Sequence, residues 1–222
     1  MKLILYPFKI IAMKKYLVFI FLFMSLYYSI GQKIDWGIQI GGGVSNQNSK
    51  LTNFNSSSDI HDYLNRKSLW SPSYSFDLVL NAVIKNKFGL ETSIGYIRKG
   101  VAVKNPGVTS QLDYLHLPIL LTYKFGNRWS VVTGPEIGYA VASFSKAENA
   151  DRVRNKFLDL NMELSILAGL QYAINHNFSI GCRFNQDLTT HTKFKFTDQN
   201  GDEVGTMRTY NKYLQLMLKY QL

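Results

Sequence analysis

From about residue 33 onward, the chain alternates apolar and polar positions in eight separate runs. Alternation with period two marks strands that have one apolar and one polar face. The first run spans about 33–42, with Ile34, Trp36, Ile38 and Ile40 on one face and Asp35, Gly37, Gln39 and Gly41 on the other. The others fall near 73–84, 88–96, 115–125, 129–141, 158–172, 178–185 and 214–222. The joins alternate in length. Residues 85–87, 126–128 and 175–177 are tight turns, whereas 43–72, 99–111, 142–157 and 187–210 are long. Eight strands with short turns at one end and long loops at the other predict an all-β fold. The expected form is a closed eight-stranded antiparallel up-and-down transmembrane barrel with both ends of the barrel on the short-turn side.

The composition of the two faces sets inside and outside. In a soluble barrel the face turned to water is rich in Lys, Glu, Asp and Arg. Here the non-apolar face is mostly Gly, Ser, Asn, Gln and Ala with isolated charges. That face suits a narrow, filled lumen. The apolar face carries Leu, Ile and Val centrally. Tyr74, Phe88, Tyr96, Phe125, Trp129, Tyr139, Tyr172, Phe178 and Tyr220 lie toward the strand ends, where interfacial girdles belong. The alternative is a secreted soluble barrel carrying a small apolar ligand.

The first 31 residues read as a targeting segment. Met13-Lys14-Lys15 opens an apolar stretch from Tyr16 to Tyr28, and Ser29-Ile30-Gly31 places small residues before Gln32. This is the pattern of a cleaved signal peptide. Residues 1–31 are thus the signal and 32–222 the barrel domain, with Met13 an alternative start. Of the formal net charge of +10, four come from Lys2, Lys9, Lys14 and Lys15. The single Cys, Cys182, excludes an internal disulfide framework and a lipid anchor at the cleavage site. No cofactor and no metal site is expected. Asp198-Gln199-Asn200-Gly201-Asp202-Glu203 superficially resembles a calcium loop, but its glycine sits at the wrong place. Asn200-Gly201 between Phe194–Thr197 and Val204–Met207 instead predicts a hairpin projecting in the last long loop.

Charges divide into two groups. Asp35, Asp77, Glu91, Lys124, Glu136, Glu163, Arg183 and Lys219 fall on the lumen face, with Arg183 and Glu136 at similar heights and Lys124, Lys219, Glu91 and Asp35 lower. Buried charges must pair, so a structural polar network is expected. A gated proton or ion path is the functional alternative for the same residues. Arg98, Lys99, Lys104, Arg152, Arg154 and Lys156 fall in the long loops, as candidate contacts to lipopolysaccharide phosphate. His116 faces the lumen, His176 a tight turn, and His61 and His191 the long loops. No spacing marks a nucleophile–base pair, so no catalytic residue is assigned. No basic–aromatic face for nucleic acid appears.

Two segments carry a family resemblance: Tyr114-Leu115-His116-Leu117-Pro118-Ile119-Leu120-Leu121-Thr122-Tyr123-Lys124-Phe125-Gly126, and Val132-Thr133-Gly134-Pro135-Glu136-Ile137-Gly138-Tyr139. They resemble the centre of the PorT-like outer-membrane β-barrel family of Bacteroidota. The resemblance implies an outer-membrane barrel and does not by itself imply a role in type IX secretion. The terminal alternation Leu214, Leu216, Leu218, Tyr220, Leu222 resembles the insertion signal read by the barrel-assembly machinery, with Leu where Phe is usual. The expected function is a non-enzymatic structural or interaction scaffold in contact with outer-membrane lipid and lipopolysaccharide. The alternatives are an accessory factor for secretion or envelope assembly with an envelope protein partner, or a lipid-modifying enzyme active at the rim.

Overall fold

The structure is a computed structural model that describes residues 34–52, 68–104, 107–148, 150–155, 162–190, 192–197 and 203–222. Its strands are β1 (Ile34–Thr52), β2 (Ser68–Lys85), β3 (Phe88–Val103), β4 (Val108–Phe125), β5 (Trp129–Ala147), β6 (Val153–Arg154), β7 (Met162–Ala173), β8 (Phe178–Asp187), β9 (Thr192–Thr197) and β10 (Glu203–Gln221). Each successive wall strand pairs antiparallel with the one before it, and β1 pairs with β10 from Gly37↔Gln221 to Thr52↔Thr206. Eight strands therefore close into a ring, β1–β5, β7, β8 and β10. The two-residue β6 hangs on β5, and β9 pairs with the far half of β10.

The three tight turns lie where the alternation stops. Asn86 takes the left-handed conformation (φ 46°) between β2 and β3, and Gly126 does so (φ 64°) after β4. Asn and Gly are the residues that tolerate it. Between β7 and β8 the Asn175 side-chain oxygen accepts from the amides of Asn177 and Phe178 at 3.0 and 2.8 Å, an Asx turn. At the other end the strands run further than the alternation alone indicates. β1 continues to Thr52, β3 to Val103, and β10 begins at Glu203. Strands of 18 or 19 residues, as in β1, β2, β4, β5 and β10, exceed the roughly 10 residues needed to cross a bilayer. The long loops shrink accordingly, and the projecting hairpin is present as β9 against β10. The residues read as signal peptide, as well as His61, Lys156 and His191, lie outside the described residues.

The pleat turns the apolar face outward. Trp36, Phe76, Leu78, Ile94, Leu115, Ile166, Ile180 and Leu216 are all exposed, whereas Gln39, Asp77, Glu91, Glu136, Arg183 and Lys219 are buried. Aromatic rings gather at two levels. Phe88–Tyr123, Trp129–Tyr172 and Phe178–Tyr220 pair near the turns, with centroids 5.1, 4.8 and 4.9 Å apart. Tyr74 and Tyr96 pair at 6.2 Å on the loop side of the apolar belt.

One feature of the wall is not visible as alternation. Between Asp113↔Ala142 and Tyr114↔Ala140, β5 holds one residue, Val141, with no partner. This bulge resets the faces of β5, so that Ala140 and Ser143, three residues apart, both point inward. The lumen also has an apolar side. Ile97, Leu112, Tyr114, Leu120, Val132, Ala140, Leu167 and Tyr213 form one buried cluster.

Candidate functional site

The lumen holds buried polar side chains arranged in three tiers, the upper two joined through Lys99 and Glu136. Nearest the turns, Glu91 on β3 takes Lys219 Nζ of β10 at 2.7 Å and Gln171 Nε2 of β7 at 3.1 Å, and its other oxygen takes Arg183 of β8. Strands from opposite sides of the ring thus meet on one carboxylate. Gly169 makes room for Arg183, because a Cβ there would lie 2.9 Å from the arginine Cγ. Below this tier a polar vestibule of about 130 Å³ opens at the turn end, lined among others by Asp35, Lys124, Ser130 and Ser179.

The middle tier is a bridge of three ionisable groups. His116 Nε2 lies 2.5 Å from Asp77 Oδ1, and its Nδ1 lies 3.2 Å from Glu136 Oε2. Both contacts are complete when each ring nitrogen carries a proton. Gln39 Nε2 donates to the second Asp77 oxygen at 3.1 Å. Tyr213 donates to Glu136 at 2.7 Å, and Asn185 donates to its other oxygen at 3.2 Å. The ladder explains the Asp77–His116 contact, since Gly95 pairs with Asp77 on one side and His116 on the other. With no side chain between them, the carboxylate reaches across β3.

The upper tier centres on Lys99. Its Nζ pairs with Glu163, stands 3.5 Å from Glu136 and 3.8 Å from Asp187, and is fully buried. Tyr114 and Tyr213 turn ring faces toward it, with centroids at 4.9 and 5.3 Å. Asn211 binds Glu163 at 2.8 Å and Tyr114 at 3.1 Å through its amide side chain. Its backbone amide donates to Asp187 at 2.7 Å. Further toward the loops, Gln47 donates to Asn211, and Ser45 on β1 accepts the Gly100 amide of β3. Five buried carboxylates (Asp77, Glu91, Glu136, Glu163, Asp187) thus meet Lys99, Arg183, Lys219 and His116 in a near-balanced interior.

Of the lumen residues expected from the sequence, the structure brings together Asp77, Glu91, Glu136, Glu163, Arg183 and Lys219. Asp35 is half-buried at the turn end, and Lys124 is exposed at the vestibule mouth, because both stand at the end of the wall. Lys99 is the clear correction. It is expected in a long loop facing phosphate, yet it lies inside the barrel. β3 does not stop near residue 98, and Lys99 shares the inward parity of Glu91. Asp187, Asn211, Tyr114 and Tyr213 are further members that the alternation did not single out.

The remaining expected phosphate contacts differ in how free they are. Arg98 points outward, but it is held by Asp113 through two hydrogen bonds of 2.6 and 2.7 Å. Arg152 lies over the Phe144 ring at 3.7 Å. Arg152, Arg154 and Lys104 are exposed, in a quadrant that also holds the exposed acids Glu148 and Asp151. Among the described residues, no group of His, Cys, Asp and Glu is arranged to hold a metal ion.

A closed antiparallel ring, an outward apolar belt between aromatic levels, and charges turned inward define an integral outer-membrane β-barrel. The family described as outer membrane protein beta-barrel domain matches residues 27–193, and the chain belongs to it. Among solved structures, Neisserial surface protein A (NspA) is similar at 12% identity and TM-score 0.51, with 84% of this chain and 97% of that one covered. Ail of Yersinia pestis, in complex with the heparin analogue sucrose octasulfate, is similar at 14% identity and TM-score 0.45, covering 86% and 99%. OprG from Pseudomonas aeruginosa is similar at 14% and 0.44, covering 87% and 99%. No curated protein matches the chain. The protein resides in the cell outer membrane, which overturns the soluble, apolar-ligand alternative: its apolar face meets lipid instead of lining a cavity.

Proposed function

We propose that the protein is a non-catalytic scaffold of the outer membrane, working through the part of its sheet that stands beyond the lipid and contacting lipopolysaccharide there. One observation carries this reading. The spanning part is filled by the three-tiered network, while five long wall strands continue well past the apolar belt. Filling the lumen with paired charges leaves it a structural role. Each buried carboxylate already faces donors of its own protein, which argues against acid–base chemistry inside. The signal-peptide pattern supports export with cleavage before Gln32, and the terminal alternation supports insertion by the barrel-assembly machinery. The second reading is an accessory role in secretion or envelope assembly with a protein partner, and co-purification of envelope proteins together with a secretion defect on deletion would favour it.

Planar-bilayer recording tests the scaffold reading. The refolded protein gives no unitary conductance steps. Regular steps of fixed amplitude overturn it and restore the ion-path alternative.

A further inference from the structure

The outward face of β1, β10 and β9 changes character just above the belt. Its apolar ladder runs Ile38↔Tyr220, Ile40↔Leu218, Gly42↔Leu216 and Val44↔Leu214. The next outward position is Asn46↔Lys212, then Asn48↔Tyr210, then Lys50↔Arg208. Lys212 lies over the exposed ring of Trp70 at 5.3 Å, and Lys50 over Tyr210 at 5.6 Å. In the last row Arg208 is also paired in register with residue 193, a lysine on β9. Three basic residues therefore occupy one register row across three neighbouring strands. Lys195, one outward place further along β9, is exposed.

That row is unfavourable on its own. Like charges directly opposite each other destabilise a sheet. Arg98 on β3, which also points outward, is by contrast neutralised by Asp113. Among the described residues, no ion pair is made by Lys50, Arg208 or Lys212. The first cation stands two residues above the last apolar pair, about 7 Å along the strand. That is where headgroup phosphates of the outer leaflet begin. The aromatic rings beneath the cations are the side chains that settle at such an interface.

We propose that the β1–β10–β9 seam, centred on Lys50, Arg208 and Lys212, binds the phosphate groups of lipopolysaccharide, and that the Lys104/Arg152/Arg154 quadrant does not. This rests on the proposed contact with lipopolysaccharide and assigns it a face. Arg208 offers a planar fork to phosphate, and the two lysines offer point charges on either side.

The test uses the full mature barrel in zwitterionic micelles, titrated with diphosphorylated lipid A and followed by tryptophan fluorescence, since Trp70 lies under Lys212. Each variant is first checked for folding by its faster unboiled migration on a gel. K50Q/R208Q weakens binding by about twenty- to thirtyfold and lowers the salt dependence, at about 1 kcal/mol per basic residue near an anionic surface. R152Q/R154Q binds as the wild type does. Dephosphorylated lipid A binds weakly to all. If the wild type binds lipid A but K50Q/R208Q is unchanged, or R152Q/R154Q loses binding equally, the seam assignment is overturned and the scaffold reading stands. Equal binding of dephosphorylated lipid overturns the role of phosphate. If the wild type shows no binding to lipid A, the lipopolysaccharide contact itself fails.

Discussion

Gly95→Ala is the sharpest test of the lumen network. A Cβ on Gly95 would sit 2.1 Å from Asp77 Oδ1, 2.8 Å from its carboxyl carbon and 2.4 Å from the Phe76 carbonyl oxygen. The first two contacts belong to a side chain that can swing, and the third belongs to backbone. Ordinary contact requires the carboxylate to retreat by more than about 1 Å and β2 to separate from β3 locally. Either movement breaks the 2.5 Å contact to His116. His116 and Glu136 then face each other without the second carboxylate, inside a water-poor lumen. Disrupting one arm of a buried ionic cluster costs about 3 kcal/mol, more than a hundredfold in the folding equilibrium. The assay is urea unfolding of the barrel in vesicles, followed by the mobility of unboiled samples. Gly42→Ala is the control, because nothing lies within 4 Å of where its Cβ would be. A Gly95→Ala midpoint equal to that of Gly42→Ala refutes the argument.

Three further outcomes are expected, two from the same geometry and one from the signal-peptide pattern. Glu136→Gln, which leaves His116 and Lys99 short of a charge, lowers stability by about 3 kcal/mol in the same assay, whereas exposed Glu148→Gln changes it by less than about 0.5 kcal/mol. Brief treatment of the folded barrel with an amine-reactive label, read by peptide mass, modifies Lys104 and spares Lys99; equal labelling means that Lys99 is not inside. N-terminal sequencing of protein from outer membranes begins at Gln32, and a sequence starting earlier contradicts cleavage there.

The wall of this barrel was legible because lipid and lumen impose opposite demands on alternate residues. Runs such as Leu214 to Leu222 and Tyr74 to Ile84 carry that alternation cleanly, and the turns at Asn86, Gly126 and Asn175 punctuate it. Two things were not legible. The strand ends beyond the belt face water on the outside, so the apolar signal fades, and Ile97-Arg98-Lys99-Gly100 reads as loop although it is strand. Parity counted on from Glu91 through Ser93 and Gly95 would have placed Lys99 inside. The bulge at Val141 leaves no trace in composition, because it exchanges one small or apolar residue for another. Leu120, Val132 and Leu167 break the polar inner face, and only the assembled ring shows that they meet.

The partners in the lumen are far apart along the chain. Glu91 finds Lys219 a separation of 128 residues away, Gln215 reaches Ser73 across 142, and Tyr213 reaches Glu136 across 77. β10 alone supplies Asn211, Tyr213, Gln215 and Lys219 to the interior. While the earlier strands are in place and β10 is not, Glu91 keeps Arg183 but lacks its lysine, and Glu136 and Glu163 each lack a donor. A half-built barrel is thus held back from the hydrocarbon twice, by an open sheet edge and by uncompensated charge. Contacts of such long range also make folding slow. Arrival of the last strand closes the hydrogen-bond ring and neutralises the interior in one event. Insertion is therefore expected to be all-or-none, with no stable intermediate of seven strands in the membrane.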